Sequence, residues 1–183
     1  MASILVIIKL AIHLLFNPAM RKEIDTSPKI DSQKLRTVAG AFATGVTVVA
    51  VEKDDQSIQG MTANSFLSIS LDPPIVAFSV REQASIMRQL AIGKAVGISI
   101  LNDNQEAISN QFAGRNKTPI AVPMSKKAND APVVEGALAW YSTIIDQIIP
   151  IGDHFLITCK VIDLQRAEEG NPLLYYSGYK TLA

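Results

Sequence analysis

The chain has 183 residues, enough for one domain with its own hydrophobic core, and its 48% hydrophobic content excludes a disordered protein. Seventeen basic and seventeen acidic residues cancel, and the basic ones are scattered, Lys126-Lys127 being the only adjacent lysine pair, which argues against a nucleic-acid binder. The single cysteine, Cys159, excludes an internal disulfide and a cysteine-based metal site, and His13 and His154 are too few and too distant to suggest zinc, so no metal is expected.

The N-terminal run SILVIIKLAIHLLF (3–16) is almost wholly apolar yet holds Lys9 and His13. It is short of the about 20 residues a membrane-spanning helix needs. It also lacks a basic n-region and an A-x-A site, so it makes a poor signal peptide. A packing helix or an extension ahead of Met20 is favoured over a membrane role or a weak targeting segment. Residues 1–30 are therefore set apart from a domain over 31–183.

TSPKIDSQKLRTVAGAF (26–42) has the marks of a capped helix. Asp31 or Ser32 can cap it, and Leu35, Val38, Ala39 and Phe42 recur at helical spacing. Thr44-Gly45 ends it and leads into the β-branched strand GVTVVAVE (45–52). Asp54-Asp55 turns the chain, and a strand near Ser57–Met61 pairs back as a hairpin. Phe66–Leu71 is a third strand, stopped by Pro73-Pro74, and Ile75–Val80 a fourth.

Ala84–Ile92 reads as a short helix and Ala95–Leu101 as a buried strand. Asp103, with Glu106 three residues on, is expected to cap a helix through Phe112. Arg115–Asp130 reads as a long polar loop. Strands near Ala137–Ile145, Phe155–Leu164 and Leu173–Tyr176 follow. In the second of these, Phe155, Ile157, Cys159 and Val161 form the core face, and His154 shares parity with Leu156, Thr158 and Lys160. Hairpin-spaced strands with few crossover helices point to an antiparallel barrel rather than a parallel α/β sheet.

Residues 60–74, GMTANSFLSISLDPP, crowd Thr62, Asn64, Ser65, Ser68 and Ser70 between two apolar strands. Such groups need hydrogen-bond partners, from the backbone or from a polar ligand.

Five strings taken together, LRTVAGAFATGVTVVAV (35–51), GMTANSFLSISLDPPIVAFSV (60–80), SILNDNQEAISNQFAG (99–114), GDH (152–154) and PLLYYSGYKTL (172–182), resemble the flavin reductase-like family. The resemblance covers about residues 31–182. It implies a mainly β fold, a six-stranded antiparallel split barrel that forms a homodimer, with FMN or FAD held near the dimer interface. It implies an NAD(P)H-dependent reductase, using NADH or NADPH, that hands reduced flavin to a partner flavin-dependent monooxygenase, and with it a cytoplasmic location. A non-enzymatic FMN carrier or store is the alternative, and a dimeric module that lost its ligand is a third reading.

The same resemblance assigns the site. Gly45, Val46 and Thr47 let backbone approach the flavin ring, and Thr62, Ala63, Asn64 and Ser65 meet ring and ribityl, with Ser68 further along. Ser79, Arg81 and Ser85 fall at the ribityl-phosphate end, where an arginine can make charge-assisted bonds to phosphate. Phe112 either covers part of the flavin or packs in the core. His154 of the GDH motif, the one candidate catalytic residue, stands beside the nicotinamide, bordered by Tyr176, Ser177 and Gly178. Three departures from the family pattern stand out: Ala43 where proline is common, Ser142 near a common cysteine, and RNKTPIAVPM (115–124) where Asp-Lys-Phe is common. A 2′-phosphate of NADPH would want one basic residue, and Arg115, Lys117, Lys126 and Lys127 stand in these loops, but they do not decide NADPH against NADH.

Overall fold

A computed structural model describes residues 29–182. The apolar run 3–16 lies outside the described residues. The chain divides into a unit ending at Val38 and a second unit from Ala39 to Ala183.

Helix α1 spans Ser32–Ala39, shorter than the periodicity suggests. Asp31 is its cap: the carboxylate accepts the N–H groups of Gln33 and Lys34, each at 3.2 Å. Leu35 and Val38 are exposed, as is Phe42 beyond the helix end.

The second unit is built on one antiparallel sheet of seven strands, one more than the six expected. Its members are β2 (Thr47–Glu52), β3 (Ile58–Ala63), β4 (Leu67–Leu71), β5 (Pro74–Arg81), β6 (Ala95–Ile100), β9 (Ala139–Ile151) and β10 (His154–Arg166). Their order is β3-β2-β6-β9-β10-β5-β4. The sheet curls on itself. Val49 and Val51 of β2 share one buried cluster with Val76, Phe78 and Val80 of β5, though four strands' spacing separates them in the sheet. β3 and β4 do not pair with each other, so the barrel is split between them. The β10 alternation holds: Ile157 and Cys159 are fully buried, and Phe155 and Val161 pack on the same cluster.

Every residue from Val46 to Val51 is buried, because β2 is covered on both faces. Its second face, Val48 and Ala50, packs under helix α2 (Glu106–Phe112) and the small hairpin of β7 (Met124–Lys126) and β8 (Pro132–Val134). β8 lies so close to β6 that a Cβ on Gly97 would stand 1.8 Å from the Pro132 carbonyl oxygen. Only glycine fits there.

Several local expectations are corrected. Thr44–Gly45 is not a helix end but a short strand, β1, paired with β11 (Leu174–Tyr175), which pairs in turn with β12 (Tyr179–Lys180). Helix α2 begins after Gln105, not Asp103: the Gln105 side chain accepts the Asn102 N–H at 3.0 Å, and the Asp103 N–H is taken by the Asn171 carbonyl. The helix expected over Ala84–Ile92 is a 3₁₀ segment, Ser85–Gln89. The loop Arg115–Asp130 contains β7 and a 3₁₀ turn at Ala128–Asp130.

Candidate functional site

The polar segment after β3 bridges the split. On one flank Ala63 pairs with Thr47, whose hydroxyl donates to the Ala63 carbonyl at 2.8 Å. On the other flank Ser65 Oγ accepts the Ser79 N–H at 3.0 Å and donates to the Ser79 carbonyl at 3.2 Å. One residue before Ala63, the Thr62 hydroxyl donates to the Ser109 carbonyl of α2 at 2.6 Å. Of the crowded hydroxyls, those of Thr62 and Ser65 therefore find backbone partners, as their desolvation requires.

What remains uncommitted is narrower than the sequence suggests. Asn64 is exposed, and no hydrogen bond among the described residues takes up its side chain or the amide N–H of Asn64 or Ser65. Ser68 is exposed on β4. Ser79 is half-buried on the outer face of β5, since Phe78 and Val80 point into the barrel. Ser85 accepts a hydrogen bond from Gln59 Nε2 at 2.9 Å.

At the far end of β5, Arg81 stands opposite His154 in the β5–β10 register, and Ser79 opposite Leu156. Asp153 Oδ1 lies 2.7 Å from His154 Nδ1. A carboxylate only accepts, so Nδ1 carries the proton and Nε2 is left for another group. The His154 ring holds the Asp153 carboxyl below its ordinary pKa, with a smaller contribution from Arg81. Arg81 is exposed and forms no ion pair among the described residues.

On the opposite flank β1 carries Gly45 against Leu174 and Thr44 against Tyr175. Val46, Leu101 and Leu173 bind one another in a ring of backbone hydrogen bonds: Val46 N–H to Leu173, Leu173 N–H to Leu101, Leu101 N–H to Val46. The predicted ring-approach segment is thereby joined to the C-terminal hairpin. The Tyr176–Gly178 turn is tight. Ser177 has φ 51° and Gly178 φ 124°, and the Tyr176 N–H bonds the Gly178 carbonyl. Phe112 packs against Gly60 on the α2 side of β3, with the second core cluster, and also lines a cavity of about 450 Å³ with Ile120 and Met124.

Sequence reasoning missed two groups. The Thr44 hydroxyl is buried with no hydrogen-bond partner among the described residues, beside Gly45. Tyr179 Oη bonds Ser109 Oγ at 2.9 Å and Asn110 Oδ1 at 3.2 Å, fastening β12 to α2. Neither carries a local signal, because each depends on chain brought in from far away. A cavity of about 380 Å³ lined by Lys127, Glu135, Trp140 and Gln165 lies on the β7–β8 side, away from the segment that bridges the split.

The donor set suits a flavin. Open backbone amides and an amide side chain at Asn64-Ser65 match a ring edge rich in acceptors and donors. The orphaned Thr44 hydroxyl offers a further polar contact, and an unpaired Arg81 matches a phosphate.

Residues 39–183 match the family described as flavin reductase like domain. The reductase component of 4-hydroxyphenylacetate 3-monooxygenase from Thermus thermophilus is 40% identical over 142 residues, spanning 77% of this chain and 90% of that protein. An NADH-dependent flavin reductase from Rhodococcus is 36% identical over 156 residues, spanning 84% of this chain and 88% of that protein. Among solved structures, the flavin reductase PheA2 superposes with a TM-score of 0.80 at 36% identity, over 84% of this chain and 99% of its own.

Proposed function

The chain belongs to the flavin reductase-like domain family, and from that premise we propose that it is an NAD(P)H:flavin oxidoreductase that reduces FMN or FAD and supplies it to a monooxygenase. NADH is the donor for which its relatives are named. The observation that carries the reading to particular residues is the bridge across the split barrel. The Asn64-Ser65 amides are held open there while Ser65 Oγ and Thr47 Oγ1 fix the backbone on both flanks.

Bound flavin supplies the hydride-accepting chemistry. The chain's residues bind and align. Asn64 and the amides beside it hold the ring edge and ribityl, Gly45 and Val46 bring backbone close, and Arg81, with Ser79 and Ser85, holds the phosphate. His154, oriented by Asp153 through Nδ1, presents Nε2 to the nicotinamide amide. Tyr176, Ser177 and Gly178 border the same ring. Hydride transfer needs no acid or base at the transferring carbon, so alignment is the protein's main contribution.

The working unit is a homodimer in this reading. β4 is an edge strand that exposes Leu67, Ile69 and Leu71, and an apolar open edge calls for cover. A second copy laid on that edge also walls the outer face carrying Ser79 and Leu156. The lone cysteine, Cys159, is buried, and burial pushes its thiol up to about 12, so it is no ready nucleophile at neutral pH. No helix among the described residues is long and apolar enough to cross a membrane.

The test is steady-state oxidation of NADH and NADPH with added FMN or FAD, alongside the visible spectrum of the purified protein. Turnover that scales with added flavin is expected. A yellow protein without turnover would make it a flavin carrier, and a colourless, inactive one would leave only the fold.

A further inference from the structure

Four cations sit in or beside the segment that departs from the family pattern: Arg115, Lys117, Lys126 and Lys127. The structure separates them. Lys126 Nζ lies 2.6 Å from Glu52 Oε2, and Lys127 Nζ sits 4.9 Å from the centre of the Trp140 ring. Both are committed to holding the β7–β8 hairpin side of the molecule. Lys117 is exposed and has no partner among the described residues.

Arg115 is different. Its guanidinium lies 5.8 Å from the centre of the Tyr179 ring, and its Nη1 donates to Tyr179 Oη at 3.4 Å. Its own N–H bonds the Asn110 carbonyl at 2.9 Å. Tyr179 is fixed in turn. Its single hydroxyl proton goes to Asn110 Oδ1, so it accepts from the fully buried Ser109 Oγ and from Arg115. The Tyr175 ring meets Tyr179 edge-on, with centroids 5.7 Å apart. An exposed arginine is thus held in place without a carboxylate, for no ion pair with Arg115 exists among the described residues. Tyr179, on which Arg115 is docked, follows the Tyr176–Gly178 turn by one residue.

We propose that Arg115, docked on Tyr179, binds the pyrophosphate of the nicotinamide dinucleotide. The proposal rests on the reading that the Tyr176–Gly178 turn borders the nicotinamide. A guanidinium fork matches phosphate oxygens, and one already oriented by an aromatic ring loses less freedom on binding than a free lysine. The arrangement also divides the two phosphate-bearing ligands: Arg81, at the end of β5, serves the flavin, and Arg115, at the end of α2, serves the dinucleotide. Tyr179 is a positioning residue acting through Arg115.

The experiment compares NADH with 1-benzyl-1,4-dihydronicotinamide, a hydride donor without phosphate, in wild type, Arg115→Ala, Arg115→Lys, Tyr179→Phe and Lys117→Ala. Arg115→Ala is expected to lower the ratio of kcat/KM for NADH over that for the benzyl donor on the order of ten- to a hundredfold, mainly through KM. Arg115→Lys falls between, Tyr179→Phe loses a few-fold through the same ratio, and Lys117→Ala stays with wild type. Binding of FMN and of riboflavin, followed by fluorescence, should not change in Arg115→Ala. An unchanged ratio in a folded Arg115→Ala overturns the proposal. So does a weaker FMN affinity with riboflavin unaffected, which would assign Arg115 to the flavin phosphate. Should Arg115→Ala not fold, an Arg115→Lys ratio equal to wild type overturns it equally. If wild type oxidises neither nucleotide with either flavin, the reductase reading itself fails and this one with it.

Discussion

Ser65 holds Ser79 by both of its backbone groups, accepting its N–H at 3.0 Å and donating to its carbonyl at 3.2 Å. One side chain thus replaces a strand pair at the point where the barrel is split. Ser65→Ala removes both bonds and leaves a half-buried N–H and carbonyl without that partner. A loss of about 1–2 kcal/mol in unfolding free energy is expected by urea titration. A stability equal to wild type would show that the clamp is dispensable.

Asn64, one residue earlier, has no such structural duty. Asn64→Ala is expected to leave the unfolding midpoint within experimental error while weakening flavin binding roughly tenfold, the worth of one or two lost hydrogen bonds. Unchanged flavin affinity, measured by fluorescence quenching, would move the pocket elsewhere.

His154 is expected to separate binding from stability in a different way. His154→Ala should raise the KM for NADH or slow hydride transfer while flavin affinity stays constant, because His154 faces out of the barrel core. The same substitution removes the main cause of the lowered Asp153 pKa, so that carboxyl should titrate at a higher pH, read by NMR. If the variant unfolds instead, the histidine is structural.

Asp55 gives a pH dependence with a definite sign. Its carboxyl accepts the Ser57 hydroxyl and N–H and pairs with Lys53, and these hold its pKa at about 2 instead of 3.8. A depressed folded pKa stabilises the β2–β3 turn at every pH above the unfolded value. That contribution fades as pH falls from about 4 toward 2. Asp55→Asn should flatten this part of the stability–pH curve, and NMR titration of the Asp55 carboxyl should show the low midpoint directly.

Gly97 tests the close approach of β8. Gly97→Ala would drive a methyl into the Pro132 carbonyl, where backbone cannot yield cheaply. A destabilisation of about 2–4 kcal/mol is expected in chemical denaturation, against tenths for alanine at Gly45, whose added Cβ meets nothing within 4 Å.

The seven strands of the main sheet in chain order, the β10 alternation that turns His154 outward, a cap at Asp31 or Ser32 and the Asp54-Asp55 turn were all legible in the sequence. Each rests on residues within a few positions of one another: alternation sets the face, and a short polar side chain satisfies nearby amides. The family strings likewise name the candidate residues without placing them. Tertiary structure alone decided which polar groups are spoken for. Thr62 meets Ser109, Ser65 meets Ser79 and Arg115 finds Tyr179, while the Thr44 hydroxyl is left without a partner, across separations no local pattern encodes. A hydroxyl reads the same in sequence whether it awaits a ligand or satisfies a distant carbonyl. Only the folded chain, which must pair nearly every buried polar group, shows which of the two it does.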